Sequence, residues 1–244
     1  MKKLRDSLNI FLTGEVGRNN SLNREIWLEK TLLNLPVGHK ILDAGAGESR
    51  YKKYCNHLIY LSQDFAEYDG SGDSKGIQKS SRNYSNLDII SDITEIPVEN
   101  ESFDAVMCIE VIEHVPDSVK ALNELCRVLK PGGYLILTAP FASLTHYSPF
   151  HFATGFNIYY YQHHLSNLGL DILESTHNGN YFEFIAQELR RLNQVASEYT
   201  DMKLNFIGKI GLNLILFFLN RFSKNDSVSH ELLNFGYNIF AQKK

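Results

Sequence analysis

Apolar positions in this chain recur with two periods. Short, nearly continuous runs alternate with stretches in which apolar residues return every three or four positions, so strands and helices are expected in turn. The runs predict strands at Ile41 and Leu42, Leu58 to Ser62, Leu87 to Ser91, Ser102 to Ile109, Tyr134 to Thr138, Leu170 to Glu174 and Asn234 to Ala241. A short helix is expected over Glu48 to Cys55, leading from the glycines, and helical spacing predicts Asn20 to Leu35 (Leu22, Ile26, Leu28, Leu32, Leu33) and a helix capped by Asp117 or Ser118 and running to Leu129. It also predicts Asn157 to Leu168 and Glu183 to Tyr199, the last with Ile185, Leu189, Leu192 and Ala196 on one face. The run Ala105 to Ile109 has no polar alternate, which a strand needs only when both sheet faces are covered. Strand and helix alternating through short turns imply an α/β fold whose sheet is mostly parallel, because each parallel connection must cross over it.

Some stretches break the rhythm. Asp69 to Asn83, rich in Gly, Ser, Asp and Lys, is expected to be a mobile surface excursion, and Pro131, Gly132 and Gly133 a turn before the fifth strand. Ala139 to Phe156 mixes prolines, histidines and aromatics and suits the wall of a pocket. Residues 1–38 read as an N-terminal segment and helix, 39–178 as the core, 179–233 as a helical insertion, and 234–244 as a last strand returning beside the fifth or sixth. Met1 to Arg18 is expected to fold back over the rest. Leu204 to Phe222 is apolar on all sides but a narrow stripe of Asn205, Lys209, Asn213, Asn220 and Lys224, too apolar for an ordinary water-facing helix. It implies packing on neighbouring helices, self-association through 204–222, or peripheral contact with a membrane face.

Composition narrows the classes. In 244 residues, 43% hydrophobic and 21% charged, there is room for one well-buried core but little for two. The net charge of −4 gives no general electrostatic case for nucleic acid. Cys55, Cys108 and Cys126 lie far apart, without metal-ligand spacing, and read as reduced and packed. The first residues lack the apolar length of a secretory signal, so the expected location is cytoplasmic, with the inner membrane face as the peripheral variant.

Candidate chemistry sits where the strands end. In HKILDAGAGESR (39–50) a short strand closes at Asp43 and feeds Ala44, Gly45, Ala46 and Gly47, a turn whose backbone can approach a ligand. Ligands bind such sheets beyond the carboxyl ends of the strands, which brings in Asp64, Asp92, Glu110 and His114. Successive carboxylates make a negative pocket, better suited to a cation bearing ribose hydroxyls than to a pyrophosphate. His114, His146 and His151 are the candidate catalytic groups, as base or as polar contacts to substrate, with Tyr147 and Tyr161 as aromatic wall. A metal site from His146, His151 and Glu110 is conceivable, but imidazoles at this spacing in a loop are weak evidence, no cysteine joins them, and no metal is expected.

These blocks resemble class I S-adenosylmethionine-dependent methyltransferases, in particular the short domain of the ubiquinone and menaquinone methyltransferases. LDAGAGESR (42–50) looks like their first motif, YLSQDF (60–65) like the strand ending in the ribose-binding acid, and SDITEIPV (91–98) like the strand end beside the adenine. SFDAVMCIEVIEHV (102–115) and RVLKPGGYLILTAP (127–140) are similar to the remaining two blocks. One departure is Ser49, where many members carry a third glycine. The resemblance implies a three-layer Rossmann-like sandwich around a seven-stranded sheet. It implies S-adenosyl-L-methionine as cofactor, held by Asp43, Ala44, Gly45, Ala46, Gly47, Asp64, Phe65, Asp92, Ile93 and Glu110. It further implies methyl transfer to oxygen or nitrogen of a small-molecule, glycan or lipid-linked acceptor. The competing readings are an RNA methyltransferase, an NAD-dependent oxidoreductase that shares the strand and glycine turn, and a cofactor-binding protein without turnover.

Overall fold

The computed structural model describes residues 14–73, 75–78 and 83–244. The expectations for the first thirteen residues, and for 74 and 79–82 in the surface excursion, lie outside the described residues. Helix α1 (Asn20–Leu33) leads into β1 (Lys40–Ala44), β2 (Ile59–Asp64), β3 (Ile89–Ile90) and β4 (Phe103–Ile109). Helix α2 (Ser118–Val128) follows, then β5 (Leu129–Pro140), α3 (Ile158–Asn167), β6 (Leu170–Asn178), α4 (Tyr181–Tyr199), α5 (Phe206–Lys224) and β7 (Gly236–Lys243).

The seven strands form one sheet in the order β3-β2-β1-β4-β5-β7-β6. The pairs β1–β2, β1–β4, β2–β3 and β4–β5 are parallel, and β7 runs antiparallel to β5, Tyr134 facing Gln242 and Pro140 facing Gly236. The last strand thus lies between the fifth and the sixth. Strand order reverses between β1 and β4, which opens a crevice at their carboxyl ends.

Alternate residues of the central strands feed the two faces. Leu42, Val106, Cys108, Leu135 and Leu137 pack with Leu122, Leu125 and Leu165 of α2 and α3. Their neighbours Ile41, Ala105, Met107 and Ile136 pack with Leu28 and Leu32 of α1 on the other side. Period-2 sorting inside an unbroken apolar run is what a doubly covered sheet requires. On α1 only Leu28 and Leu32 are buried, while Leu22, Ile26 and Leu33 stay exposed, so its apolar stripe is narrower than the sequence spacing suggests.

The chain divides into two compact units: Ile26–Thr176 with Gly236–Lys244, and the described part of 1–25 with His177–Phe235. The second is built on α4 and α5. Val16, Ala186, Leu216 and Leu219 form its core, and Arg190 donates from Nε to the Val16 carbonyl at 2.8 Å, which pins residues 14–18. Asn180 and Asn205 cap the two helices by accepting the Glu183 and Gly208 amides, as Asp117 and Asn157 cap α2 and α3 in the first unit. Each cap is worth about 1 kcal/mol. Among the described residues of α5, only Leu216 and Leu219 are buried.

Several local expectations are corrected. Glu48 to Cys55 forms no α-helix, only a 3-10 turn at Lys52–Tyr54. Pro131 to Gly133 does not separate two elements: β5 runs through it, with an irregularity in the pairing between Phe103–Leu129 and Ala105–Tyr134. The strand absorbs the extra residues because Gly132, at φ 76°, has no neighbour to collide with. The described residues of the expected mobile excursion are hydrogen-bonded. The Ile77 amide donates to the Thr145 carbonyl at 3.0 Å, and the Tyr147 amide to the Ile77 carbonyl at 3.1 Å.

Candidate active site

The glycine turn is shaped from both sides. Gly45 has φ 79°, and a Cβ there would stand 2.4 Å from Val111 Cγ2, so only glycine fits. The Gln63 carbonyl accepts the amides of Gly45 and Ala46 at 2.8 and 2.9 Å, and Asp64 Oδ2 accepts that of Gly47 at 2.8 Å. The turn's donors are therefore directed at β2. A dinucleotide site aims such amides, and the N-terminus of a following helix, at a pyrophosphate. Here the amides are committed and no α-helix follows, so the geometry disfavours the oxidoreductase reading.

Beyond the turn lies a cavity of about 460 Å³. Gly45, Asp64, Phe65, Asp92, Ile93, Glu110 and His114 line it, as do Tyr68, Tyr147 and Phe150. Asp64 is almost buried at the end of β2, its Oδ1 accepting the Ala66 amide at 3.0 Å, and Asp92 closes the loop after β3 by accepting the Thr94 amide at 2.7 Å. Glu110 sits at the end of β4 in a left-handed conformation, φ 57°, and accepts the Thr138 hydroxyl at 3.0 Å. A non-glycine residue held there stores strain that the surrounding structure must offset, a feature concentrated at functional sites.

Other candidates stand off the wall. Asp43 is 2% exposed and does not line the cavity; it accepts the Tyr60 hydroxyl at 2.6 Å. Burial, opposed by that hydrogen bond, pushes its carboxyl up to about 7. Ala44, Ala46 and Gly47 likewise carry the turn without lining the cavity. Tyr161 is fully buried in the core beneath α3 rather than in the wall, because α3 turns it toward the sheet. Cys55, Cys108 and Cys126 are buried free thiols.

The three histidines come together. Ring centroids lie 4.6 Å apart for His114 and His146, 4.7 Å for His146 and His151, and 6.0 Å for His114 and His151. Burial and the neighbouring His146 hold His151 below the usual imidazole range. The sequence reading missed Glu113, which stands beside them, fully buried in the 3-10 turn Ile112–His114. Its signal was the EH pair in EVIEHV, an acid next to the candidate histidine and three residues after Glu110.

Comparison with known proteins bears on this arrangement. Residues 42–137 match the family described as a methyltransferase domain. The core of this chain is thus similar to a methyltransferase domain. The domain's matched span runs from β1 through β5 and includes Asp64, Asp92 and Glu110. The chain is 31% identical over 108 residues to the ubiquinone biosynthesis O-methyltransferase of Alkalilimnicola ehrlichii, covering 41% of each chain. It is 30% identical over 110 residues to the tRNA (carboxymethyluridine(34)-5-O)-methyltransferase of Arabidopsis thaliana, covering 44% of this chain and 25% of that one. The chain thus spans well under two thirds of the length of these relatives. The fold resembles that of a SAM-dependent methyltransferase from Archaeoglobus fulgidus, with a TM-score of 0.54, 15% identity, and coverage of 96% and 99% of the two chains.

Proposed function

We propose that this chain transfers the methyl group of S-adenosyl-L-methionine to an oxygen or nitrogen of a small-molecule, glycan or lipid-linked acceptor. The observation that carries this reading is the acidic cavity under a glycine turn whose amides are already committed. Asp64, Asp92 and Glu110 line it, as a cationic nucleoside requires and a pyrophosphate would not tolerate. The residues fit that cofactor. Gly45 leaves the room a Cβ would fill, Asp64 and Asp92 present carboxylates to hydroxyl and amine donors, and Phe65 and Ile93 supply apolar walls.

When bound, the cofactor supplies an electrophilic methyl on a sulfonium. The protein's part is placement, exclusion of water and handling of the acceptor's proton. Tyr147, Phe150 and His114 line the same cavity and form its acceptor side in this reading. An unbiased screen of cell extract with labelled cofactor tests the proposal, comparing wild type with Gly45→Arg. Transfer of label by wild type alone supports it. Absence of cofactor binding by calorimetry in the folded protein would sink it.

A lipid-linked acceptor, with peripheral membrane contact, is supported by α5. Phe206 and Ile207 are each 77% exposed, and the helix carries Lys209, Arg221 and Lys224 but no acidic residue. An apolar helix face flanked only by cations is complementary to an anionic lipid surface.

A further inference from the structure

Glu113, His114 and His146 each bring one ligand atom to a common point, all within 4.8 Å of one another. Glu113 is buried, its side chain 1% exposed, and its Oε1 lies 3.7 Å from His114 Nε2. Hydrogen bonds on the far side of each ring fix which nitrogen faces the group. His114 Nδ1 is 2.5 Å from the Phe150 carbonyl oxygen, and His146 Nδ1 is 2.9 Å from that of Leu144. A carbonyl oxygen only accepts, so each Nδ1 carries the hydrogen and each neutral ring keeps its lone pair on Nε2. Metal-binding histidines are held this way, with the other ring N–H on a backbone carbonyl.

We propose that Glu113, His114 and His146 form a binding site for a divalent transition metal of the zinc class. The donor set is two imidazoles and one carboxylate, which zinc takes with a fourth position left open. Bonds of about 2.1 Å in a tetrahedron put ligand atoms about 3.4 Å apart. The Glu113–His114 separation is close to that, and His146 reaches it by a small movement of its half-buried side chain. A dication also neutralises the buried Glu113 carboxylate.

His114 lines the cavity, so the open position adjoins the acceptor side of the pocket. This role, unlike the site itself, rests on the methyl-transfer reading. The acceptor hydroxyl binds the metal and gives up its proton to solvent. The oxygen's electron pair then forms the O–CH₃ bond as the S–CH₃ bond breaks, leaving a neutral thioether.

The test titrates the metal-free full-length protein with Zn²⁺ by calorimetry and with Co²⁺ by visible absorbance, with no cofactor or acceptor present. One equivalent per chain is expected, with the absorption of four-coordinate Co²⁺, and His146→Ala should weaken it roughly 100-fold or more. Glu113→Gln should do likewise. If burial of Glu113 makes that variant unfold, the His146 variant still decides. His177→Ala, which alters a histidine of the other unit, should leave the affinity unchanged. No saturable binding, or binding indifferent to His146→Ala, overturns the site. Cofactor binding measured on the same protein keeps the two readings apart: cofactor bound but no metal overturns only the metal site, and the reverse only the methyltransferase reading.

Discussion

Asp64 and Gly47 are joined by a 2.8 Å hydrogen bond from the glycine amide to the carboxylate Oδ2, which ties the end of β2 to the turn after β1. The same carboxylate lines the cavity, so one side chain both sets the turn and faces the cavity. Asp64→Asn keeps an acceptor for one amide but loses the charge and half the accepting capacity. We expect cofactor affinity to fall by about tenfold or more with the fold retained, since bonds to a charged group are worth roughly 1.5–3 kcal/mol. Calorimetry with far-ultraviolet circular dichroism would check it; unchanged affinity would remove Asp64 from the site.

Gly45 and Val111 offer a paired test. An alanine at 45 must take φ 79° and bring its Cβ to 2.4 Å from Val111 Cγ2. Gly45→Ala should therefore cost on the order of 2–4 kcal/mol of stability, part from the backbone and part from the collision. Val111→Ala in the same chain removes the collision but not the backbone strain. The double variant is expected to recover part of the loss, read from urea denaturation midpoints. Full recovery would mean that the backbone conformation costs nothing.

The strands of the core were legible because a sheet covered on both faces imposes unbroken apolar runs such as Ala105 to Ile109. The acids at strand ends were legible because topology alone places them: Asp64, Asp92 and Glu110 reach the cavity, whereas Asp43, at an equivalent strand end, is turned to Tyr60. That difference depends on a cross-strand partner, which local sequence does not encode. The Glu48 to Cys55 segment, expected as a helix leading from the glycines, packs Tyr51, Tyr54 and Cys55 on the core yet forms only a 3-10 turn, an outcome that tertiary contacts decide and local sequence does not. Glu113 went unnoticed because its significance arises only when His146, 33 positions later, folds back over His114.

Asp43 should make stability pH-dependent. Burial raises its folded carboxyl to about 7 from the ordinary carboxyl value of 3.8, so between those values the native state holds a proton that the unfolded state releases. The stabilisation is fully present below the unfolded value and is lost as pH rises through the folded one. Within that window the slope approaches about 1.4 kcal/mol per pH unit. Asp43→Asn, which still accepts from Tyr60, should flatten the decline between pH 4 and 7. Denaturation midpoints across that range decide; parallel curves for the two proteins would show that Asp43 does not titrate there.

Arg127 binds the segment that follows Asp92. Its guanidinium donates to the Ile96 and Val98 carbonyls, both at 2.9 Å, and to both oxygens of Glu124, at 2.8 Å each. Glu124 in turn accepts the Ile96 amide at 2.6 Å. Lysine cannot reproduce this planar fork. Arg127→Lys should cost about 2 kcal/mol and weaken cofactor binding through looser placement of Asp92 and Ile93. A variant equal to wild type in both would show that the loop holds its own shape.

The exposed start of α5 separates a membrane-facing helix from one that is merely apolar. Phe206 and Ile207 lie near its N-terminal end, each 77% exposed, so Phe206→Ser with Ile207→Ser should change folding stability by no more than about 0.5 kcal/mol. Burying two such side chains in lipid is worth roughly 1.5–3 kcal/mol each, enough to change vesicle affinity at least tenfold. In flotation with anionic phospholipid vesicles, wild type is expected to float and the double variant to remain at the bottom. Adding salt should weaken wild-type binding by screening Lys209, Arg221 and Lys224. Equal partitioning of the two proteins would assign the apolar face to another partner. A second copy of the chain would then be indicated by sedimentation that depends on concentration and disappears in the variant.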